Sequence, residues 1–246
     1  MPFTFSHPAI ILPLSKIHKS KLSLTGLIAG SLAPDFEYFI FMKMRRTHGH
    51  ELTSFLWFNL PICIGLALVY HGIIKKPLIK SLPHFLYQRL CNQKNNDWFS
   101  YFKKYWFVFI YSAAIGVFSH IFWDSFTHDN GIIGKSPDFL LEVIPVLNQR
   151  VYEFLQLAST MVGGIYVLYF IQKLPIQPTH KLPILEKIMF WMNVLILMTT
   201  IFTINTPANI SEFIAVTIGS FVYGIVGSSI YHSIYEKIYS KRATKF

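Results

Sequence analysis

A regularly spaced row of imidazole and carboxylate side chains stands in this chain of 246 residues: His120, Asp124 and His128, each four residues after the one before. On an α-helix, residues four apart lie on one face, so this spacing predicts a polar stripe at the end of an apolar run. Imidazole and carboxylate groups on neighbouring turns can bind one divalent cation. The same spacing also suits a His–Asp hydrogen-bonded pair that holds two helices together, and the segment alone leaves both interpretations open.

Three further segments carry the same residue types, and each lies at the edge of an apolar stretch. They are centred on His7, on Asp35 with Glu37, and on His48, His50 and Glu51. An ionisable residue in or beside a membrane span is costly and therefore indicates a function. Polar side chains from separate helices can converge on one site inside a helical bundle. Four such segments in one chain favour a shared site.

Three strings from these segments resemble a known family: MPFTFSHPA, GSLAPDFEYF and GVFSHIFWDSFTH. They are similar to DUF4184, a family of bacterial membrane proteins of unknown function, and the resemblance covers most of the first 170 residues. More distantly, the pattern is similar to the LexA-regulated, predicted membrane-bound metal-dependent hydrolases. Those proteins share an N-terminal His, a Pro-Asp segment, a His before a span and a His-x-x-x-Asp helix.

The resemblance implies a metal site and a hydrolytic activity. Carried over by motif, the implied ligands are His7, Asp35, His50, His120 and Asp124. His128 joins this set because of its place in the polar stripe.

The chain departs from the distant hydrolases at two positions. Glu37 stands where they have a second Asp, and Glu51 follows His50 where they have Thr or Ser. The second departure leaves open whether His48 or His50 is the ligand. Either glutamate could serve as a general base, because a carboxylate can accept a proton from water.

Membrane spans are the elements that must position these residues. The chain is 52% hydrophobic and 14% charged, whereas soluble domains are roughly a quarter charged. A spanning helix needs about 20 mainly apolar residues. Five stretches qualify: 55–74, 105–123, 154–171, 184–204 and 211–230. We therefore expect an all-α, polytopic transmembrane helix bundle.

The N-terminal part is a weaker candidate for spanning. Residues 22–42 form a possible sixth span that contains Asp35 and Glu37, and residues 1–15 are apolar but too short to cross. If residues 22–42 span fully, His7 starts on the side opposite His120, and a re-entrant segment would resolve this conflict. We expect a single integral membrane domain over residues 1–246, with the motifs in 1–170 and two additional spans and a tail in 171–246.

The distribution of Lys and Arg predicts the orientation of the bundle. The basic stretches 75–104, 173–187 and 237–246 should be cytoplasmic, and the acidic stretch 124–153 should lie outside. The basic loop 43–46 disagrees with this scheme. A net charge of +10 carried between apolar runs fits loops that face anionic lipid, not a nucleic-acid surface. We expect a multi-pass protein of the bacterial inner membrane with a cytoplasmic C-terminus.

These observations lead to one hypothesis and two alternatives. The hypothesis is a hydrolase with a divalent metal, Zn²⁺ first and Mn²⁺ or Fe²⁺ as alternatives, at the outer membrane interface. Its substrate would be a lipid-like ester or phosphoester from the surrounding membrane. The alternatives are a metal-ion or proton transporter that uses the same residues, and a structural membrane protein whose His–Asp contacts only hold helices together.

Overall fold

Helix accounts for nearly all the regular structure, as the long apolar stretches require. The structure is a computed structural model that describes residues 3–44, 48–129 and 137–243. It is 77% helical, which confirms the predicted all-α class. The α-helices in chain order are α1 (Pro8–Ile11), α2 (Leu24–Phe41), α3 (Leu60–Val69), α4 (Lys75–Ser81), α5 (His84–Lys94), α6 (Trp98–Asp124), α7 (Asp138–Leu141), α8 (Val151–Gln172), α9 (Ile184–Ile204) and α10 (Ile210–Ala243).

Five helical segments are long and apolar enough to cross a membrane, and they coincide with the five predicted stretches. They are Phe55–Ser81, Trp98–Asp124, Val151–Gln172, Ile184–Ile204 and Ile210–Ile238. A helix satisfies its backbone hydrogen bonds internally, which is what an apolar segment in lipid needs. The loop residues 45–46 and 130–136 and the tail residues 244–246, which entered the orientation prediction, lie outside the described residues.

Two of the spans depart from regular α-helix. The first consists of α3 and α4 with wider, π-type turns at Phe55–Asn59 and Tyr70–Ile74. The second, α6, is interrupted at Tyr105, where φ is −125° and ψ is 34°. The predicted span began at residue 105, so the apolar run starts where the helix breaks.

The predicted re-entrant N-terminal piece consists of short helical turns. A 3-10 turn at Thr4–Ser6 is followed by α1 and by a second 3-10 turn at Leu12–Lys16. Pro8 and Pro13 lie in the first turns of their segments, where proline is tolerated, but proline cannot continue a helix from the preceding turn. The weak sixth candidate forms α2, which is not among the five helices long and apolar enough to span.

The described residues group into two compact units. Unit 1 comprises Met1–Phe36, Thr47–Gly65 and Tyr101–Lys173. Unit 2 comprises Glu37–Arg46, Leu66–Ser100 and Leu174–Phe246. The sequence predicted a single integral membrane domain over residues 1–246, and that statement stays a prediction.

In unit 1, the N-terminal turns pack on α2 and α8. Ile11, Leu12 and Leu27 form a buried cluster against which Tyr166 and Val167 of α8 pack. This apolar contact brings the segment that carries His7 onto the side of a span. It is therefore a folded part of unit 1, and its re-entry into a membrane stays a prediction.

A two-stranded antiparallel hairpin precedes α8. Its strands are β1 (Val143–Ile144) and β2 (Gln149–Arg150), and the turn contains Asn148 at φ 49°. Asparagine tolerates this left-handed conformation better than most residues. Helix α8 starts directly after β2, with a capping box in which the Arg150 backbone N–H donates to Glu153 Oε2 at 2.9 Å. The start of this span is therefore fixed by local hydrogen bonds.

In unit 2, α9 and α10 pack along their length. The Ser228 hydroxyl donates to the Phe190 carbonyl at 2.9 Å, and Phe190 is fully buried. The ammonium of Lys187 donates to the Leu82 carbonyl at 2.7 Å, which ties α9 to the end of α4. The ammonium group of Lys187 thus fastens one helix to the end of another.

Candidate metal centre

The last turn of α6 presents His120 and Asp124 on one face, as the four-residue spacing predicts. Both side chains are buried: His120 is 0% exposed and Asp124 is 2% exposed. The chain leaves the helix immediately afterwards in a turn, where the Thr127 N–H donates to the Asp124 carbonyl at 3.0 Å. The polar pair therefore lies at the end of an apolar span.

A backbone carbonyl fixes the orientation of the His120 ring. Nδ1 of His120 lies 2.7 Å from the carbonyl oxygen of Ser31 in α2. A carbonyl can only accept, so Nδ1 carries a proton, and the other ring nitrogen, Nε2, faces Asp35 and Asp124 at 3.6 and 3.5 Å. Nε2 is buried and makes no hydrogen bond to any described residue. This is the arrangement that holds metal-binding histidines in proteins, with one nitrogen donating to a carbonyl and the other facing the ion.

Close contact between α2 and α6 positions Asp35. A Cβ added at Gly30 would lie 2.2 Å from the Ala113 carbonyl oxygen, and one added at Gly116 would lie 2.3 Å from that of Leu27. Only glycine allows this approach, as in membrane helix pairs generally. Asp35 follows one turn later and is 0% exposed. The Thr4 hydroxyl donates to its Oδ2 at 2.6 Å, which leaves Oδ1 toward His120.

A tight loop brings His50 to Asp35. Gly49 packs on the backbone of Pro34, since a Cβ there would lie 2.1 Å from the Pro34 carbonyl oxygen. The loop is held by Asn59, whose amide donates to the Gly49 carbonyl at 3.0 Å. His50 Nε2 consequently lies 3.3 Å from Asp35 Oδ1 and 3.3 Å from Asp124 Oδ2.

The N-terminal turns bring His7 to the other side of Asp124. Ser6 packs on Gly163 of α8, and its hydroxyl donates to the Thr160 carbonyl at 3.0 Å. The His7 ring stacks on that of His120 with centroids 3.8 Å apart, and its Nε2 lies 3.5 Å from Asp124 Oδ1. Burial lowers the pKa of His7 to about 3, so its ring is neutral at physiological pH and a nitrogen lone pair is available.

Four of these residues bring one ligand atom each to a common point. The atoms of Asp35, His50, His120 and Asp124 all lie within 4.8 Å of one another. The four nitrogen–oxygen distances between the histidines and the carboxylates run from 3.3 to 3.6 Å. Charge-assisted hydrogen bonds are shorter, at about 2.7–2.9 Å. Ligands at about 2.1 Å around a tetrahedral cation are instead about 3.4 Å apart, so the spacing fits a metal site better than an ion-pair network.

Charge balance also allows a cation at this point. Asp35 and Asp124 are two carboxylates with almost no exposed surface, and buried charges require compensation. A divalent cation would neutralise both and leave the imidazoles neutral. The donor set of two imidazole nitrogens and two carboxylate oxygens suits Zn²⁺, Mn²⁺ and Fe²⁺.

The other predicted site residues lie outside this group of four. Nδ1 of His128 is 3.0 Å from the Asp124 carbonyl oxygen and 3.7 Å from Asp124 Oδ2, so this ring supports the end of α6. His48 is exposed, and its ring lies 4.7 Å from that of Trp57. The structure thus brings His50, and not His48, to the cluster.

The two predicted general bases differ in their surroundings. Glu51 is exposed. Glu37 is 1% exposed, but it stands two residues after Asp35 on α2, and residues two apart do not share a helix face. Their catalytic role stays a prediction.

Several positioning residues carry no signal in the sequence. Thr4 reaches Asp35 from a remote part of the chain, and Ser31 contributes only its carbonyl, which every residue type has. Gly49 offers the one usable hint, because a glycine beside a candidate ligand indicates close backbone contact.

Fold and site together define a polytopic helical membrane protein with a buried His/Asp cluster of metal-binding composition. A family model described as "Domain of unknown function (DUF4184)" matches residues 1–237, and the chain belongs to this family. The resemblance to DUF4184 is thereby confirmed, and the more distant one to the membrane-bound hydrolases stays a prediction. No curated protein and no solved structure matches the chain.

Proposed function

We propose that this protein is a metal-dependent hydrolase of membrane lipids or lipid-like esters and phosphoesters. The observation that carries the proposal is the convergence of Asp35, His50, His120 and Asp124, drawn from three remote stretches of chain, with ligand atoms within 4.8 Å. The nitrogen–oxygen distances of 3.3 to 3.6 Å among these side chains match the spacing of ligands around a tetrahedral cation.

The four residues would hold the cation. His7, whose Nε2 lies 3.5 Å from Asp124 Oδ1, would add a further nitrogen donor. When bound, a divalent cation supplies Lewis acidity and lowers the pKa of a coordinated water to about 7. The protein's own contribution is orientation: Ser31 fixes the His120 tautomer, Thr4 fixes the Asp35 carboxylate, and the Gly49 loop fixes His50.

The position of the site favours a substrate from the membrane. Asp124 is the last residue of the span Trp98–Asp124, and Ser6, next to His7, packs on Gly163 in the middle of the span Val151–Gln172. An ester or phosphoester of a lipid in the same membrane would be within reach there. The distribution of Lys and Arg supports an outward-facing site in a bacterial inner membrane, with the C-terminus in the cytoplasm.

A closed site fits the residues better than a transport path. A relay needs ligand-type side chains at several depths. Within residues 3–44, 48–129 and 137–243, the only group of three or more such side chains is the one around Asp35. We therefore place hydrolysis ahead of metal-ion or proton transport.

The first test is metal content and its effect on stability. We expect about one Zn²⁺, Mn²⁺ or Fe²⁺ per chain by mass spectrometry of the purified protein. Removal with EDTA should lower the unfolding temperature by about 5–10 °C, because a ligand at 100-fold its Kd stabilises by about 2.7 kcal/mol. Adding back the metal should restore it. A metal-free protein whose unfolding ignores EDTA and every divalent cation would show that the contacts are structural.

The second test is activity. Phosphatidic acid and a neutral glycerophospholipid in mixed micelles would be followed for release of phosphate and fatty acid, with the EDTA-treated protein as the control. Cation flux into liposomes would be measured on the same preparation. Metal-dependent product release supports the hydrolase, whereas flux without product release would replace it with a transporter.

A further inference from the structure

A groove runs beside the His/Asp cluster in unit 1. Its volume is about 330 Å³, and it is shallow and widely open to its surroundings. The side chains that line it are apolar or aromatic, and they come from the N-terminal turns, the end of α6 and the middle of α8. They include Ala9, Ile10, Pro13, Trp123, Val162 and Tyr166.

One end of the groove adjoins the site. Trp123 directly precedes Asp124, and Ala9 follows His7 by two residues. The Trp123 ring lies edge-on to the His7 ring, with centroids 6.1 Å apart. Trp123 therefore lines the groove and also contacts His7, so a molecule in the groove would lie within one side chain of the cluster.

The groove lies on the lipid-facing part of α8. Val162 and Tyr166 are in the middle of the span Val151–Gln172. On the same helix Met161, Ile165 and Leu168 are 59%, 63% and 69% exposed, as expected for side chains in contact with hydrocarbon. The nearest available occupant is thus the bilayer itself, because an apolar space does not hold ordered water.

The volume of the groove limits its occupant to a single hydrocarbon chain. Sites for drug-sized ligands measure about 300–1,000 Å³, so 330 Å³ accommodates one hydrocarbon chain segment and not a whole two-chain lipid. A second protein helix is about 10 Å wide with its side chains, so a space of about 330 Å³ does not accommodate one.

We propose that this groove binds one acyl chain of a membrane lipid and so directs the lipid's head group to the His/Asp cluster. Placement of the head group at the cluster rests on the proposed function, whereas binding of the acyl chain in the groove does not. The groove would act as the element that selects substrates with long apolar tails.

The test is to fill the groove and leave the rest of α8 unchanged. Val162→Trp adds bulk inside it, and Ile165→Trp is the matched control, since Val162 and Ile165 are 65% and 63% exposed on one helix and only Val162 lines the groove. Ile10→Trp fills the groove from α1 and serves if Val162→Trp does not fold. Folding would be checked by gel filtration and thermal unfolding.

Lipid binding is measured first, without reference to activity. Purified protein would be loaded with a phospholipid that carries a photoreactive acyl chain, washed in detergent, irradiated, and mapped by mass spectrometry. We expect crosslinks concentrated on the peptides with Ile10 and Tyr166, reduced about tenfold in Val162→Trp and unchanged in Ile165→Trp. Equal labelling around α8 that Val162→Trp does not alter would mean ordinary boundary lipid and would overturn the proposal.

Substrate selection is measured second. If the protein hydrolyses lipids, Val162→Trp should raise KM for a long-chain substrate about tenfold and leave a short-chain analogue with the same head group unaffected. Equal effects on both analogues would overturn the selecting role. A wild-type protein without hydrolysis would refute the proposed function alone, since the crosslinking result decides whether the groove binds a chain.

Discussion

Two pairs of residues with the same spacing end up in different settings. His120 and Asp124 are four residues apart on α6, and His232 and Glu236 are four apart on α10. In the α6 pair both side chains are buried, and the carboxylate oxygens of Asp124 also meet His7 and His50. In the α10 pair Glu236 is 46% exposed, and its carboxylate accepts a hydrogen bond from Lys80 at 2.7 Å.

The comparison shows that convergence, and not spacing, distinguishes a candidate ligand from a structural residue. Buried cations in unit 2 each find one backbone partner: Lys75 donates to the Asn96 carbonyl at 2.6 Å, and Lys187 donates to that of Leu82. In unit 1, by contrast, four side chains each direct one ligand atom at a common point: Asp35, His50, His120 and Asp124. Three substitution pairs test this difference, in order of decreasing effect.

The largest difference is expected between Asp124→Asn and Glu236→Gln. Asp124→Asn removes a charge that would offset the cation, and breaking a buried ionic contact costs about 3 kcal/mol or more, at least about 100-fold in affinity. Glu236→Gln affects an exposed pair and should leave metal affinity unchanged and stability nearly so. Metal titration followed by thermal unfolding measures both. Similar losses in the two variants would remove the distinction between the pairs.

A smaller effect is expected from His50→Ala, with His48→Ala as its control. His50 contributes one imidazole nitrogen to the cluster, so its loss should weaken metal binding by about tenfold or more, since even the loss of an outer-shell partner of a ligand costs about 10- to 100-fold. His48 lies exposed against Trp57, and its removal should leave binding unchanged. Isothermal titration of metal-free protein with Zn²⁺ gives both affinities. If His48→Ala were the more damaging variant, His48 and not His50 would be the ligand.

The smallest effect concerns a residue that is not a ligand. In Gly49→Ala the new Cβ would collide with the Pro34 carbonyl, so the loop must shift, at about 1–3 kcal/mol, and metal affinity should fall about tenfold. At Gly65 in α3 a Cβ would meet nothing within 4 Å, and Gly65→Ala should be neutral or stabilise the helix by roughly 0.5–1 kcal/mol. Unfolding temperature and metal affinity would be compared. Unchanged values for Gly49→Ala would mean that the loop does not determine where His50 lies.

The spans could be predicted from the sequence because they depend on one property, the length of an apolar run. All five coincide with helices, and the apolar run of residues 1–15, predicted to be too short to span, forms short helical turns. Hydropathy does not report dihedral angles, so the break at Tyr105 and the wide turns at Phe55–Asn59 and Tyr70–Ile74 were not predicted.

The site was predictable only in part. Residue type and motif indicated Asp35, His120 and Asp124, which the structure brings together. The choice between His48 and His50 depends on a loop held by Gly49 against Pro34, a contact that joins distant parts of the chain. Sequence spacing contains no information about such tertiary contacts, and the metal, substrate and general base stay predictions for the same reason.

The carbonyl of Ser31 that holds His120 has one further implication. Because the acceptor belongs to the main chain, no exchange of the side chain at position 31 can delete it. The same helix, α2, carries Asp35 one turn after Ser31. A slide of α2 along α6 would therefore displace Asp35 and change the orientation of the His120 ring at the same time. The centre should therefore form or fail as a whole, and partly assembled populations should be scarce.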